Sequence, residues 1–217
     1  MHIARLAAVV VAASTLVVVG CSSTQEPSST GQAASAEPPA SSQPAAQADH
    51  NDADITFAQQ MIPHHAQAIT MAEMATTHAS SPRVRELAAN IKQAQQPEID
   101  QMTGWLQAWG AEVPSTATGG MSGTTMGNMG DVSDGATGGP MPGMMSAEQM
   151  GQMGQASGAQ FDRMFLQMMI EHHEGAIQMA QTEVNDGENA EAKQLAQKII
   201  TDQQAEITEM QALLQEV

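Results

Sequence analysis

At 217 residues and a formal net charge of −17, the chain holds 24 Asp and Glu against seven Lys and Arg. Such acidity leaves no basic surface for the phosphate backbone, which excludes nucleic-acid binding. Cys21 is the single cysteine, so an internal disulfide framework and a thiolate cluster for zinc or iron–sulfur are excluded as well. Methionine occurs 18 times, whereas the aromatics amount to two Trp, three Phe and no Tyr. This excess of methionine needs an explanation.

The N-terminal segment up to Cys21 has the pattern of a bacterial export signal. Arg5 precedes an apolar run, Ala7 to Val19, that is short for a membrane span but suits a signal peptide. The run closes in Val18-Val19-Gly20-Cys21, which resembles the lipobox of bacterial lipoproteins. That resemblance implies a signal peptide at 1–20 and lipidation of Cys21, anchoring the protein to the cell membrane on its extracytoplasmic side. The alternative is an ordinary secretory signal with an incidental Cys21.

Two low-complexity segments bound the parts of the chain that are expected to fold. Residues 21–48 are rich in Ser, Ala, Pro and Gln without apolar periodicity, which predicts a disordered tether. Residues 110–146 are rich in Gly and Met and predict a flexible connection. Residues 49–217 then form one domain, with repeat one at 54–109 and repeat two at 147–217.

The two repeats are copies of one another. Residues 54–106 align with 162–214 at a constant offset of 108, without a gap and with 20 identities in 53 positions. Two unrelated Ala- and Gln-rich helices would not keep register across a turn, so the chain contains an internal duplication. The stretch MIPHHAQAITMA at 61–72 returns as MIEHHEGAIQMA at 169–180.

Each repeat reads as a helical hairpin. In repeat one the first helix is predicted from about Asp54 to Thr77, and Ser81-Pro82 forms an N-cap and first-turn pair for a helix that ends near Trp109 and Gly110. In repeat two, Gly187 is the predicted C-cap of the first helix and Asn189 the N-cap of the second.

A single hairpin cannot enclose a core, so the two hairpins are predicted to pack as one all-α four-helix bundle. Pro63 and Pro97 fall inside the helical patterns of repeat one. Each removes a backbone hydrogen bond, at a cost of about 3 kcal/mol, and we expect bends there rather than breaks.

The histidine pairs fall on the apolar stripes of these helices. Met61 lies three residues before His64 and four before His65, and Met71 lies seven beyond His64, so all of them share one side of the first helix. Repeat two presents the same pattern through its own four residues: Met169, His172, His173 and Met179. The pseudo-symmetry of the duplication should bring both pairs to one interior region.

Four buried imidazoles need partners and would repel one another if protonated. A metal ion resolves both problems because neutral imidazole is a common ligand. A donor set of imidazole and thioether without thiolate favours copper, especially Cu(I), although another transition metal is possible. The alternative is that the methionines are adaptable core residues and the histidines satisfied core side chains.

Further side chains are secondary candidates for the metal site. They are Met164, Met168, Met102, Met210, Glu98 and Glu206, of which the carboxylates and their neighbouring methionines recur in both repeats. Eight methionines in and just after the connection either form an exchangeable Cu(I)-binding loop or reflect compositional drift, with some of them starting the third helix. They are Met121, Met126, Met129, Met141, Met144, Met145, Met150 and Met153. His50 and His78 have no counterpart in the other repeat and are left out of the site.

These residues resemble the domain of unknown function 305 family. The shared pattern is F-x-x-x-M-I-x-H-H-x-x-A-I-x-M-A, followed by L-A-x-x-I and Q-x-E-I-x-x-M, in both repeats. The resemblance implies a ferritin-like helical bundle in exported bacterial proteins, with copper binding and copper resistance in some members. It supports a metal site at the residues that match the pattern: His64, His65, His172, His173, Met61, Met71, Met169 and Met179. The resemblance implies no function for the methionine-rich connection, which is a feature of this protein.

Three functions follow, in order of preference. The first is an envelope-anchored protein that sequesters or hands over copper and does no covalent chemistry; its protein partner is unknown. The second is a structural or interaction bundle. The third is a metal-dependent redox enzyme, weakened in its di-iron form because no Glu-x-x-His motif occurs.

Overall fold

The computed structural model describes residues 49–116 and 141–217, and these form five α-helices and no strand. The helices are α1 (Asp52–His78), α2 (Pro82–Trp109), α3 (Ala147–Gln155), α4 (Gly158–Asp186) and α5 (Ala190–Leu213). The all-α class is confirmed. Within these two ranges no helix has the length and apolarity needed to cross a membrane. The signal peptide, Cys21, the tether and Met121, Met126 and Met129 lie outside the described residues.

The predicted helix boundaries are confirmed at their caps. Ser81 accepts a hydrogen bond from the Val84 backbone N–H with Pro82 following it, and Asn189 caps α5 in the same way. Gly110 ends α2 in the left-handed conformation at φ 69°, where a side chain would be strained. Pro63 and Pro97 lie within continuous helices, so neither proline breaks its helix.

A short helix, α3, precedes the third long helix of the bundle. The sequence prediction ends the connection at residue 146 and does not separate a short helix from the long one that follows. Ser146 and Gln149 form the capping box that begins α3, a helix of 9 residues. Met153 on this helix is fully buried and Met150 packs against the core. These two methionines and Met145, which is 7 % exposed, are therefore core side chains and not part of an open loop.

The bundle is built from the hairpins α1–α2 and α4–α5, which meet chiefly through α1 and α4. Each hairpin caps the other. The Asp54 carboxylate of α1 accepts hydrogen bonds from the backbone N–H groups of Glu188 and Asn189 at the start of α5. At the opposite end, Asp162 of α4 accepts from Ser80 and Ser81 before α2. Both sets are related by the offset of the duplication, which is therefore a two-fold pseudo-symmetry in space.

The apolar core consists of two clusters. The first contains the C-terminal part of α1 and the N-terminal part of α4, and the second contains the remaining halves of both helices. His64 and His65 in α1, and His172 and His173 in α4, lie where one cluster gives way to the other. The bundle therefore holds a polar layer between two apolar ones.

Candidate metal site

The four histidines are fully buried. His64, His65 and His173 have no exposed surface and His172 has 1 %. They come from α1 and α4, the two helices through which the hairpins pack against each other. The prediction that both pairs face one interior region is confirmed in geometry, whereas their role as metal ligands stays a prediction.

His64 and His172 form the inner pair. Their ring centroids are 3.7 Å apart and their planes are inclined by 41°, so the two imidazoles touch across the pseudo-two-fold axis. The outer histidines, His65 and His173, are each paired with a carboxylate of their own repeat. His65 Nε2 lies 2.8 Å from Glu98 Oε2, and His173 Nε2 lies 2.6 Å from Glu206 Oε2. The sequence separation between histidine and carboxylate is the same in both repeats.

These contacts decide which ring nitrogen carries a proton. A carboxylate or carbonyl oxygen can only accept, so the Nε2 atoms of His65 and His173 are N–H donors. His64 Nε2 likewise donates to the Pro142 carbonyl oxygen at 3.0 Å. Among the described residues, Nδ1 of all four histidines lacks a hydrogen-bond partner, and so does Nε2 of His172. Metal-ligating histidines usually donate the N–H of their other ring nitrogen to a carboxylate or carbonyl in the same way.

The inner histidines are neutral. Burial, followed by the charge of neighbouring His65, lowers the pKa of His64 to about 3. Burial also holds the pKa of His172 well below its usual value, and the surrounding histidines add to the effect. Neutral imidazole is the metal-binding form, so neither ring needs to lose a proton before it binds.

The carboxylate beside His65 is shared with a lysine. Lys198 Nζ lies 2.9 Å from Glu98 Oε1, and the same ammonium contacts Asp202 at 2.8 Å. Burial alone would raise the pKa of Glu98, but the hydrogen bonds from His65 and Lys198 hold it below its ordinary value. Glu98 is thus an anion that accepts from two groups at once.

The predicted methionine ligands lie on both sides of the histidine layer. Met71, Met169 and Met210 belong to one apolar cluster, and Met61, Met102 and Met179 belong to the other. Met179 is 7 % exposed and the other five are fully buried. The secondary candidates Met164 and Met168 are half-buried against the first cluster. The inward placement of the methionines is confirmed; coordination by them stays a prediction.

In the part of the chain that the structure describes, no three His, Cys, Asp or Glu side chains stand together as a metal-binding group. The carboxylates of Glu98 and Glu206 face the N–H side of their histidines and not the vacant side. Imidazole nitrogens alone therefore do not complete a ligand set. The thioethers of the adjoining layers are the donors that could add to them.

Two residues that the sequence prediction missed contact this layer. Pro142 supplies the carbonyl for His64, and Gln67 is buried one turn beyond His64. No periodicity in the sequence marks Pro142, but Gln67 had a signal because it is a polar residue on the predicted inward stripe. His50 stacks on Trp109 and His78 bonds the Ala156 carbonyl, which agrees with leaving both out of the site.

The DUF305 family model, a domain of unknown function, matches residues 54–214, which include both repeats. The chain belongs to the DUF305 family. No curated protein matches it.

Solved structures share this architecture, and two of them are DUF305 proteins. One from Streptomyces coelicolor, described as a secreted protein, is 33% identical, with a TM-score of 0.62 over 76% of this chain and 93% of that one. A fragment from Deinococcus radiodurans is 27% identical, with a TM-score of 0.62 over 77% and 98%. CopM in its Cu(II)-bound form is 32% identical, with a TM-score of 0.58 over 75% and 96%. CopM is also solved with Cu(I) and with Ag bound.

Proposed function

We propose that this DUF305 protein binds copper on the extracytoplasmic side of the bacterial membrane and sequesters it or hands it over without covalent chemistry. The observation that carries the proposal is the state of the buried imidazoles. Three of them donate Nε2–H to a fixed acceptor, and all four have an Nδ1 without a partner in the described chain. A buried nitrogen that no protein group satisfies is costly unless something binds it.

The donor chemistry favours copper over harder or thiolate-seeking metals. The described layer combines imidazoles with neighbouring thioethers, and thioethers are soft ligands that suit Cu(I). His64, His65, His172 and His173 are the proposed nitrogen ligands, in one shared site or two separate ones. Met61, Met71, Met169 and Met179 are the proposed thioether ligands. Glu98 and Glu206 would orient the outer rings and raise their basicity as hydrogen-bond acceptors.

The relatives support the same conclusion. CopM binds Cu(II), Cu(I) and Ag in its solved structures, and it covers 75% of this chain at 32% identity. A metal-binding protein without catalysis is therefore the class that the site and the relatives both favour.

Membrane attachment through Cys21 forms part of the proposal. It rests on the lipobox-like Val18-Val19-Gly20-Cys21 and on the description of the Streptomyces relative as secreted. Expression in a bacterial host with a radiolabelled fatty acid tests it. We expect the label on the wild-type protein and none on Cys21→Ser; equal labelling of both would contradict the lipid anchor.

Anaerobic competition with a chromophoric Cu(I) chelator tests the metal site directly, with Cu(II), Zn(II) and Fe(II) titrations beside it. The variant is His64→Gln with His172→Gln, which keeps a polar side chain in each buried position. We expect the double variant to lose at least about 100-fold in Cu(I) affinity, because two of the nitrogen ligands are gone.

The matched control is His50→Gln with His78→Gln, which removes the same number of histidines outside the layer. This control should bind copper as the wild type does. Equal copper affinity in the wild type and the inner-pair variant, with both folded by circular dichroism, would contradict the proposal and favour a structural bundle. Turnover of O2 or peroxide by the copper-loaded protein would favour the redox enzyme instead.

A further inference from the structure

The segment Met141–Met145, here named the histidine strap, crosses the histidine layer before α3 begins. Gln67 of α1 binds it twice, since its side-chain N–H donates to the Met145 carbonyl and its side-chain oxygen accepts from the Met145 N–H, both at 2.8 Å. On the other side of the strap, Gly175 of α4 lies directly beneath Pro142. A Cβ atom at Gly175 would come within 2.1 Å of the Pro142 carbonyl oxygen.

The close approach extends along the strap. Gly143 has φ +76°, and a Cβ there would meet the Glu171 and His172 carbonyl oxygens at 2.6 and 2.9 Å. Only glycine fits a left-handed position pressed against a helix backbone in this way. The strap is therefore built to lie on α4 at the level of His172.

Gln67 and Gly175 occupy equivalent positions of the two repeats, related by the same offset as the histidine pairs. One repeat carries a side chain long enough to hold the strap, and the other carries none, which leaves space for it. The duplicated sequence has thus diverged into the two walls of one slot. The pseudo-symmetry of the bundle does not explain why the two residues differ, but their contacts with the strap do.

The consequence falls on the inner histidines. Pro142 in the strap accepts the Nε2–H of His64, whereas neither ring nitrogen of His172 has a partner in the described residues. Because the Pro142 carbonyl oxygen can only accept, Nε2 of His64 carries a proton, and Nδ1, which has no partner in the described residues, is the nitrogen left to bind a ligand. The strap makes two symmetry-related histidines chemically different.

We propose that the histidine strap is a positioning device for the metal site: it fixes His64 as the Nε2–H tautomer, so that Nδ1 is its metal-binding nitrogen. Gln67 and Gly175 are the positioning residues that hold the strap in place. The metal part of this inference rests on the proposed function, whereas the tautomer of His64 is a property of the metal-free protein.

Gly175→Ala and Gln67→Ala test the strap from opposite walls, and Gly104→Ala is the matched control. Gly104 is also a glycine inside a helix, but nothing lies within 4 Å of an added Cβ. Two readouts are needed: the imidazole ¹⁵N shifts of His64 in the metal-free full-length protein, which report the tautomer, and the Cu(I) affinity. Circular dichroism confirms that each variant is folded.

In the wild type and in Gly104→Ala we expect His64 to be a single Nε2–H tautomer with equal Cu(I) affinities. In Gly175→Ala and Gln67→Ala we expect tautomer exchange at His64 and a loss of about 10-fold in affinity, the usual effect of removing a hydrogen bond behind a metal ligand. Wild-type His64 as the Nδ1–H tautomer, or variants that keep both the tautomer and the affinity, would overturn the proposal. A tautomer change without an affinity change would overturn its metal part.

The two readouts separate this inference from the proposed function. A wild-type protein that binds no copper refutes the proposed function, and with it the metal part. The tautomer readout then still decides whether the strap fixes His64. If Gly175→Ala does not fold, Gln67→Ala carries the test alone, since it removes a clamp without adding volume.

Discussion

In repeat one His65 donates to one carboxylate oxygen of Glu98, and Lys198 donates to the other. In repeat two His173 donates to Glu206. Asn90 occupies the position equivalent to Lys198, and no lysine or arginine pairs with Glu206 in the ranges that the structure describes. The hydrogen bond behind each histidine is the same in both repeats, but the charge behind it differs. Glu98 accepts from both His65 and Lys198, whereas among the described residues Glu206 accepts from His173 only.

The ends of the bundle differ in a related way. Asp54 and Asp162 make equivalent caps, but Glu183 faces Asp54, whereas its equivalent in repeat one is Ala75. Duplication has therefore preserved the hydrogen bonds that position groups and has let the surrounding charges change. Because the surrounding charges differ, equivalent substitutions in the two repeats should have different effects.

The largest expected effect is on stability, from Asp162→Ala. It leaves the N–H groups of Ser80 and Ser81 without their acceptor, so we expect a loss of about 3 kcal/mol in the free energy of unfolding. Asp54→Ala should lower the free energy of unfolding by less, because it also removes a negative charge that disfavours ionised Glu183 in the folded protein. Urea unfolding followed by circular dichroism measures both, with exposed Asp100→Ala as the control. An equal or greater loss in Asp54→Ala would contradict the comparison.

The next effect is on copper affinity, from the outer carboxylates. Glu206→Gln should lower Cu(I) affinity by about 10-fold or more, since removing the carboxylate behind a ligating histidine usually costs roughly 10- to 100-fold. Glu98→Gln should cost less, because Lys198 already withdraws part of the Glu98 charge from His65. Competition with a Cu(I) chelator measures the difference.

Lys198→Asn sharpens that prediction because it places in repeat two the residue that repeat one carries at the equivalent position, and so frees Glu98 from its lysine. In this background we expect the cost of Glu98→Gln to rise toward the cost of Glu206→Gln. If Lys198→Asn leaves the two costs as unequal as before, the sharing of Glu98 is not the cause of the difference.

The smallest effect is a pH dependence at Glu183. Burial, followed by the neighbouring Asp54, raises the pKa of Glu183 from 4.5 to about 8. Between these two values the folded protein keeps a proton that the unfolded chain releases, so Glu183 lowers the stability as pH rises through this window. Glu183→Gln should therefore gain stability over the wild type, by at least about 1 kcal/mol more at pH 8 than at pH 5.

Thermal or urea unfolding at both pH values measures this difference. Glu209→Gln, an exposed substitution, should show no such pH dependence. An advantage of Glu183→Gln that does not grow between pH 5 and pH 8 would show that the carboxyl group titrates normally.

Much of the fold could be predicted because it depends on local chemistry. Ser81, Asn189 and Gly110 are cap residues whose effect is confined to one turn, and the gapless repeat indicated the number of long helices. The identity of Asp54 and Asp162 in both repeats was visible, but their role was not. They accept hydrogen bonds from the other hairpin, and no local pattern records which hairpin end will lie beside them.

The sequence predicted the site in part, as it did the fold. The inward position of the histidines followed from helical spacing, and Glu98 and Glu206 were visible as a pair that recurs at one fixed distance beyond the outer histidines. The strap and α3 were not predictable from composition, because Gly- and Met-rich sequence has no preferred periodicity. Their position is decided by Gln67 and Gly175, one far before the strap in the chain and one well after it.

The Nδ1 atoms of the buried histidines, which have no hydrogen-bond partner in the described residues, are the proposed metal-binding atoms. Long-range ¹H–¹⁵N spectra of the histidine rings during titration with Ag(I), a diamagnetic ion that CopM also binds, test this most directly. We predict large shifts at Nδ1 of His64 and a nitrogen of His172, with Nε2 of His65 and His173 still protonated. Shifts confined to His50 and His78, or no shift in any ring at saturating Ag(I), would contradict metal binding at these atoms.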